Sequence, residues 1–439
     1  MMDGEPSIDV WAMDVARFGT FATPEWGTIK STENYERRFV MTFPNETLPK
    51  GRRQETTAIY DRLTANGAVW GQAFGLEHVL WFADGPEDAY EEPTFRRSRA
   101  HAYVAREVEA VRNHVGAVEV ANFAKHEFRG AGARAFLDEI LAGRIPRPGR
   151  LALTPMLTPK GKLYGDLTVS CLADDHFLLL GSGAMQEAHR RWFEMRLPPS
   201  GVSYRNLSPH LHGIGISGPK SRELLDKLCR DDVSAAAFKF RDVRESVVAG
   251  VPAILARISF SGELGYEVYV APRYQLRLAE AIEEEGTPLG LRWYGARTLM
   301  SLRLEKGWGA WALDYRPDFT AAESGLDIFI DWDKEFVGKA AALAEKIEGP
   351  QKRLVTLIVH THDIDVSNDE AILHDGKAVG YVSSGGYAHH VDKSLALGYV
   401  PAALANAGTT VNVEINGEMV SAEVQGQALY DANGGRMRS

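Results

Sequence analysis

The chain has 439 residues, of which 45% are hydrophobic and 25% charged, with a formal net charge of -10. Such a length exceeds what one core usually serves, so two or three domains are expected in a globular protein of ordinary composition. The acidic balance argues against nucleic acid or an anionic membrane surface as the main partner, because both select basic faces. Residues 1–95 are rich in aromatics and arginine and are punctuated by loop phrases such as Phe43-Pro44-Asn45 and Leu48-Pro49-Lys50-Gly51. A helix is predicted at about 57–65, stopped by Asn66-Gly67, a good C-cap pair. A boundary falls near Glu91-Glu92-Pro93. Apolar residues then recur at helical spacing over 98–115, a strand is predicted over 118–123, and a helix over 131–142 between Gly130 and Gly143. Strands dominate up to Leu180. Further helices are predicted over 185–195, 221–229 and 276–285. Beyond Glu348-Gly349-Pro350 come short β-type runs (LVTLIVHTH, KAVGYVSS, SLALGYVP, TTVNVEIN) separated by turn residues such as Asn416-Gly417, which predicts a small barrel.

No apolar run approaches the ~20 residues of a membrane span. The opening MMDGEPSIDV has no basic and apolar signal regions, so a cytoplasmic location is expected. Two cysteines, Cys171 and Cys229, are too few for a disulfide framework.

Three segments carry the chemistry. In LTPMLTPKGKLYGDLTV, Lys162, Tyr164, Asp166 and Thr168 alternate with Leu163, Gly165, Leu167 and Val169, a period-two strand with an acid inside it. An acid there costs stability unless it is paired or has a task. In ISFSGELGYEVYV, Glu267 stands inside a second apolar strand, flanked by Tyr266 and preceded by Gly262 and Gly265. In YGARTLMSLRLEKG, Arg297 comes just ahead of a helix. Two isolated carboxylates and one guanidinium on apolar elements are what a pocket for a polar heterocycle with an anionic tail requires.

These segments resemble the folate-binding module of the glycine-cleavage T-protein family, and are most similar to the C-terminal half of dimethylglycine and sarcosine dehydrogenases. Matching phrases recur in order from about Ile8 to Gln427: VGAVEVANFAKHEFRGAGARAFLD, ISGPKSRELLDKL, FVGKAAAL and SGGYAHHVDKSLALGYVP. The resemblance implies an α+β, three-lobed fold. Residues 96–345 would hold folate in two lobes, 346–439 would form the C-terminal barrel, and 1–95 would wrap the core. It implies tetrahydrofolate as cofactor. Asp166 is then the catalytic residue, beside N10 and the reacting carbon, where a carboxylate stabilises developing positive charge or manages a proton. Glu267 would hold the 2-amino and N3 donors of the pterin. Arg297 would steady the cofactor. Thr168, two residues past Asp166 on the same face, Tyr266 beside Glu267, and Trp311 complete the expected cofactor wall. One departure stands out: seven residues before the glutamate the family generally has Tyr, and this chain has Phe260.

Other signals read as structural. Arg303 and Glu305 are expected to be a buried pair. The Gly213-x-Gly215-x-x-Gly218 phrase lies mid-chain without an alternating β/α series, so it predicts a strand-to-helix turn and no nucleotide. The pairs His210/His212, His360/His362 and His389/His390 lack a third ligand at metal spacing, and solvated polar faces are expected there, with no metal. The function expected is transfer of a methyl or methylene group from a small N-, S- or O-methylated substrate to tetrahydrofolate. Phe260 tilts the choice toward a demethylase acting alone. The alternatives are the folate subunit of a split dehydrogenase with a separate flavoprotein partner, and a non-catalytic folate-binding protein of iron–sulfur assembly. The last usually carries a cysteine signature that neither Cys171 nor Cys229 provides.

Overall fold

The computed structural model describes residues 9–439. Its strands sort into four sheets. Two of them build the body. One is antiparallel, with strands in the order Arg150–Leu157, Leu163–Ala173, His176–Gly181, Ala124–Arg129, Ser203–Asn206. The other runs Val243–Val248, Val251–Ala256, Gly265–Val270, His212–Ser217, Val115–Glu119, Leu291–Trp293, and only its last pair is parallel. Each sheet is amphipathic by alternation. In the first, Leu167, Val169 and Cys171 face a core closed by the helix Ala133–Ile140 through Phe136, Leu137 and Ile140. In the second, Ile214, Ile216, Tyr266 and Val268 face the helices Ser221–Leu228 and Pro272–Gly286. The remaining two faces look toward one another. Leu180 of the first sheet and Val118 and Tyr269 of the second share one cluster, to which the helices Ala100–Asn113 and Ala296–Glu305 add Val104, Val108, Val111 and Leu302.

The strands Lys352–Val359, Lys393–Pro401, Lys377–Ala388, Ala371–His374, Thr410–Ile415 and Glu418–Gln425 close into a barrel in that order. Alternate residues such as Val355, Leu357, Val359, Val411 and Val413 fill it. Its last hairpin turns at Asn416-Gly417, both at positive φ (50° and 84°), which suits the right-handed twist of the flanking strands. Among the described residues no helix is long and apolar enough to cross a membrane.

Four expectations are corrected. The strand predicted over 118–123 is Val115–Glu119 followed by a tight turn. The buried Lys125 ammonium ties the carbonyls of Val120 (3.1 Å), Ala121 (2.8 Å) and Phe123 (2.8 Å) and ends the extended chain. The N-terminal region holds a helix that loop punctuation hid, Pro24–Glu36, capped by Thr23 with Pro at its first turn. Arg303 and Glu305 are both buried, but they do not pair with each other. Arg303 bonds Asp314 at 2.6 Å, whose other oxygen accepts from Ser383 and Ser384 of the barrel. Glu305 bonds Arg112, which also reaches Glu263 at 3.0 Å and lies under the Tyr430 ring. These two polar clusters join barrel to body. Finally, His389 is not on a solvated face: its ring packs 4.5 Å from that of His101 and 5.0 Å from that of Tyr387.

Candidate active site

Register decides which side chains can meet. In an antiparallel ladder, directly opposite residues share a face. Thr168 stands opposite Leu180, so Asp166, Thr168 and Leu180 share the inner face of the first sheet. Glu267 stands opposite Gly215, and Gly215 opposite Val118, so Glu267, Gly215, Val118 and Tyr269 share the inner face of the second. The cluster that unites Leu180 with Val118 and Tyr269 therefore places Asp166 and Glu267 on the two walls of one inter-sheet space.

The glycine phrase has its explanation here. Gly213 lies opposite Tyr269, and a Cβ on it would stand 2.7 Å from the Tyr269 ring. Gly215 leaves room beside Glu267, where a Cβ would crowd Val118 at 3.1 Å. The phrase packs a strand against its neighbour.

Asp166 makes no hydrogen bond or ion pair with another described residue; its carboxylate meets only its own backbone N–H. Solvent reaches part of the side chain, yet surrounding protein desolvates the carboxyl and raises its pKa to about 7. Glu267 is similarly half-enclosed and pushed up by burial. One of its oxygens accepts the Tyr269 hydroxyl, while the buried Lys125 charge opposes the upward shift. Its second oxygen has no partner among the described residues. Lys125 itself is lowered to about 7 by burial, opposed by Glu267 and Glu119.

Sequence reading missed Glu119 and Lys125. Glu119 is raised to about 7 by burial and accepts from Gln275 at 2.7 Å; Gln275 in turn bonds His212 at 3.0 Å. The signal available was a pair of opposite charges, Glu119 and Lys125, set inside the largely apolar stretch 115–128.

The remaining expected residues divide. Thr168 shares the face of Asp166. Tyr266 does not share that of Glu267. As the next residue in a strand it points to the opposite side, is fully buried, and stacks on Phe238 at 6.1 Å. Arg297 sits at the start of its helix but is not free: it pairs with Glu91, which also accepts the Trp81 indole N–H. Trp311 is nearly buried, packed in one cluster with Leu163, Met185 and Tyr315, with its ring 6.2 Å from that of His189. His189 Nε2 donates to the Tyr164 carbonyl at 2.7 Å, two residues from Asp166. Trp311 thus supports the strand that carries the acid.

Two enclosed carboxylates with unused acceptor oxygens, on opposite walls, fit a heterocycle bearing amino and N–H donors. The donor set of tetrahydrofolate meets that requirement.

Comparison with known proteins bears on this geometry. The family model of the GCVT N-terminal domain matches residues 59–334, and that of the glycine cleavage T-protein C-terminal barrel domain matches 352–431. A third model, the FAD dependent oxidoreductase central domain, matches residues 3–57. The chain is 34% identical over 424 residues to the mitochondrial dimethylglycine dehydrogenase of Homo sapiens, covering 95% of this chain and 49% of that protein. It thus spans about half the length of that relative. To the aminomethyltransferase of Desulfitobacterium hafniense (strain Y51) it is 29% identical, covering 76% of this chain and 92% of the other. The crystal structure of aminomethyltransferase T from Bartonella henselae superimposes with a TM-score of 0.75 at 22% identity, over 86% of this chain and 98% of that one.

Proposed function

The chain belongs to the glycine cleavage T-protein family, and from that premise we propose that it transfers a one-carbon unit from a small N-methylated amine to tetrahydrofolate. The observation that carries the reading is the pair of half-enclosed carboxylates with unused oxygens, Asp166 and Glu267, on facing walls. Tetrahydrofolate supplies the nitrogens that accept the one-carbon unit. Glu267, fixed by Tyr269 on one oxygen, offers the other to ring donors. Asp166, poised near neutrality by desolvation, can hold either a proton or a charge, the property wanted of a group handling protons during transfer. Arg297 would steady the anionic tail only by exchanging Glu91 for it.

A second version concerns where the one-carbon unit comes from. The match of residues 3–57 to the FAD dependent oxidoreductase central domain, with a dehydrogenase among the relatives, favours a unit released by a flavin-dependent oxidation over the demethylase acting alone that Phe260 favours. Exposed apolar residues in that segment, Phe39 at 90% and Met41 at 63%, offer a flavoprotein partner a surface.

Titration of the purified chain with tetrahydrofolate tests the shared core of both versions, and absence of binding sinks it. Product identity separates them. With a methyl donor and no flavoprotein, 5-methyl-tetrahydrofolate supports the chain acting alone. Formation of 5,10-methylene-tetrahydrofolate only when a flavin-dependent amine oxidation supplies the unit supports the other.

A further inference from the structure

The strand Leu163–Ala173 carries an extra residue just ahead of its acid. Against the strand Arg150–Leu157, Leu163 stands opposite Leu157 and Gly165 opposite Met156, so Tyr164 has no opposite number and forms a β-bulge. The regular alternation expected from the sequence, with Tyr164 on the face of Asp166, is broken here. Leu157 and Leu163 lie in the cluster of Trp311, whereas Met156 and Leu167 lie in the core closed by the helix Ala133–Ile140. Asp166, opposite Pro155, faces the inter-sheet space with Thr168. Removing the extra residue would move Asp166 to the place opposite Thr154, where Leu167 now enters that apolar core, because a slip of one residue exchanges the faces. The bulge therefore decides where the acid points.

One helix, Gln186–Arg196, holds the bulge at two points. The Tyr164 ring lies 4.5 Å from that of Trp192, and the Tyr164 carbonyl accepts His189 Nε2–H at 2.7 Å. His189 is 1% exposed, and burial lowers its pKa to about 4. The ring is thus neutral near pH 7, with its one proton on the nitrogen that meets the carbonyl. Nδ1 has no hydrogen-bond partner among the described residues. Two glycines make room for the ring: a Cβ on Gly165 would stand 3.1 Å from Nε2, and one on Gly181 would stand 3.6 Å from Nδ1. Gly165 immediately precedes Asp166. The Asp166 carboxylate meets only its own backbone N–H, so its direction is set by the backbone.

We propose that His189 is a positioning residue, whose bond to the Tyr164 carbonyl fixes the bulge that turns Asp166 into the inter-sheet space. That this orientation serves one-carbon transfer rests on the folate reading.

The Asp166 carboxyl reports its own position. Protein carrying isotope-labelled aspartate carboxyls is titrated by NMR, and the Asp166 signal is identified by its loss in Asp166→Asn. The wild-type midpoint is expected near pH 7. His189→Leu removes the donor, and a thermal melt confirms that the variant is folded. A freed bulge lets the carboxyl turn toward water, since turning into the apolar core costs far more. The midpoint should then fall by about one unit or more. His189→Gln, whose amide can still donate to the carbonyl, should stay within about 0.3 unit of wild type. If His189→Leu does not fold, Gly165→Ala takes its place, because its methyl presses on the imidazole and should lower the midpoint in the same way. An unchanged midpoint in the folded variant, or an equal fall in His189→Gln, would overturn the assignment. In His189→Leu, tetrahydrofolate affinity should change by less than about threefold, because Glu267 on the other sheet is untouched. Wild-type protein that binds no tetrahydrofolate would defeat the folate reading, while the titration still decides whether His189 positions Asp166.

Discussion

Asp166→Asn should make the folded protein more stable at pH 8 while disabling it. The carboxyl takes up its proton near pH 7 in the folded chain rather than near 3.8, because the pocket desolvates its charge. The folded state therefore binds more protons than the unfolded state between those two values. Stability falls as pH rises through that window, and the full penalty is present above pH 7. At about 1.4 kcal/mol per pH unit of separation, the penalty at pH 8 is about 4 kcal/mol, a ceiling that water in the pocket reduces. Asn has no charge to desolvate and keeps the shape. Urea denaturation of wild type and variant at pH 5 and pH 8 reads the difference. The variant should gain about 2–4 kcal/mol over wild type at pH 8 and less at pH 5. If Asp166→Asn is equally or less stable at pH 8, the carboxyl is not held in a desolvated, unpartnered state and the site argument fails. In the same variant, turnover should drop by about 10²-fold or more, as for lost electrostatic stabilisers.

Glu267→Gln should weaken tetrahydrofolate by about tenfold or more, through loss of charge-assisted bonds; calorimetric titration showing unchanged affinity would remove Glu267 from the site. Lys125→Met removes the buried cation that opposes the upward shift of Glu267, so the acid limb of the folate-binding pH profile should move to higher pH. A profile that does not move would confine Lys125 to its turn. Asp314→Asn breaks a fully buried ion pair by one partner and should cost about 3–5 kcal/mol, read by denaturant unfolding; a loss under about 1 kcal/mol would contradict a desolvated Arg303. Gly213→Ala should destabilise the chain by about 1–3 kcal/mol through collision with Tyr269, and a melting temperature equal to wild type would show that the strand has slack.

The acids were legible because their signal is local. Asp166 and Glu267 are each the sole charged residue of a short strand, and a charge in that setting stands out in a dozen residues of text. The barrel was legible for a similar reason, since short runs and turn pairs such as Asn416-Gly417 repeat within it. Tyr266 shows the same rule neglected: neighbours in a strand point apart, so the residue beside a site acid belongs to the other face. What stayed hidden depends on pairing across long separations. Arg303 finds Asp314 and Glu305 finds Arg112, where adjacency on one helix had coupled them to each other. The role of Gly213 appears only once Tyr269 is known to lie opposite it.

The junction between body and barrel has an evolutionary corollary. Arg303 and Glu305 project from one short helix, Ala296–Glu305, into separate polar knots that use Ser383, Ser384 and Tyr430 from beyond it. A recombination breakpoint in the intervening segment would hand each knot half of its donors and acceptors from a different parent. Chimaeras of this chain with its relatives should tolerate exchange of the barrel only when Arg112, Glu263, Asp314 and their barrel contacts travel as one inherited set. The two halves look like separable modules in outline, yet their buried polar contacts make them heritable only together.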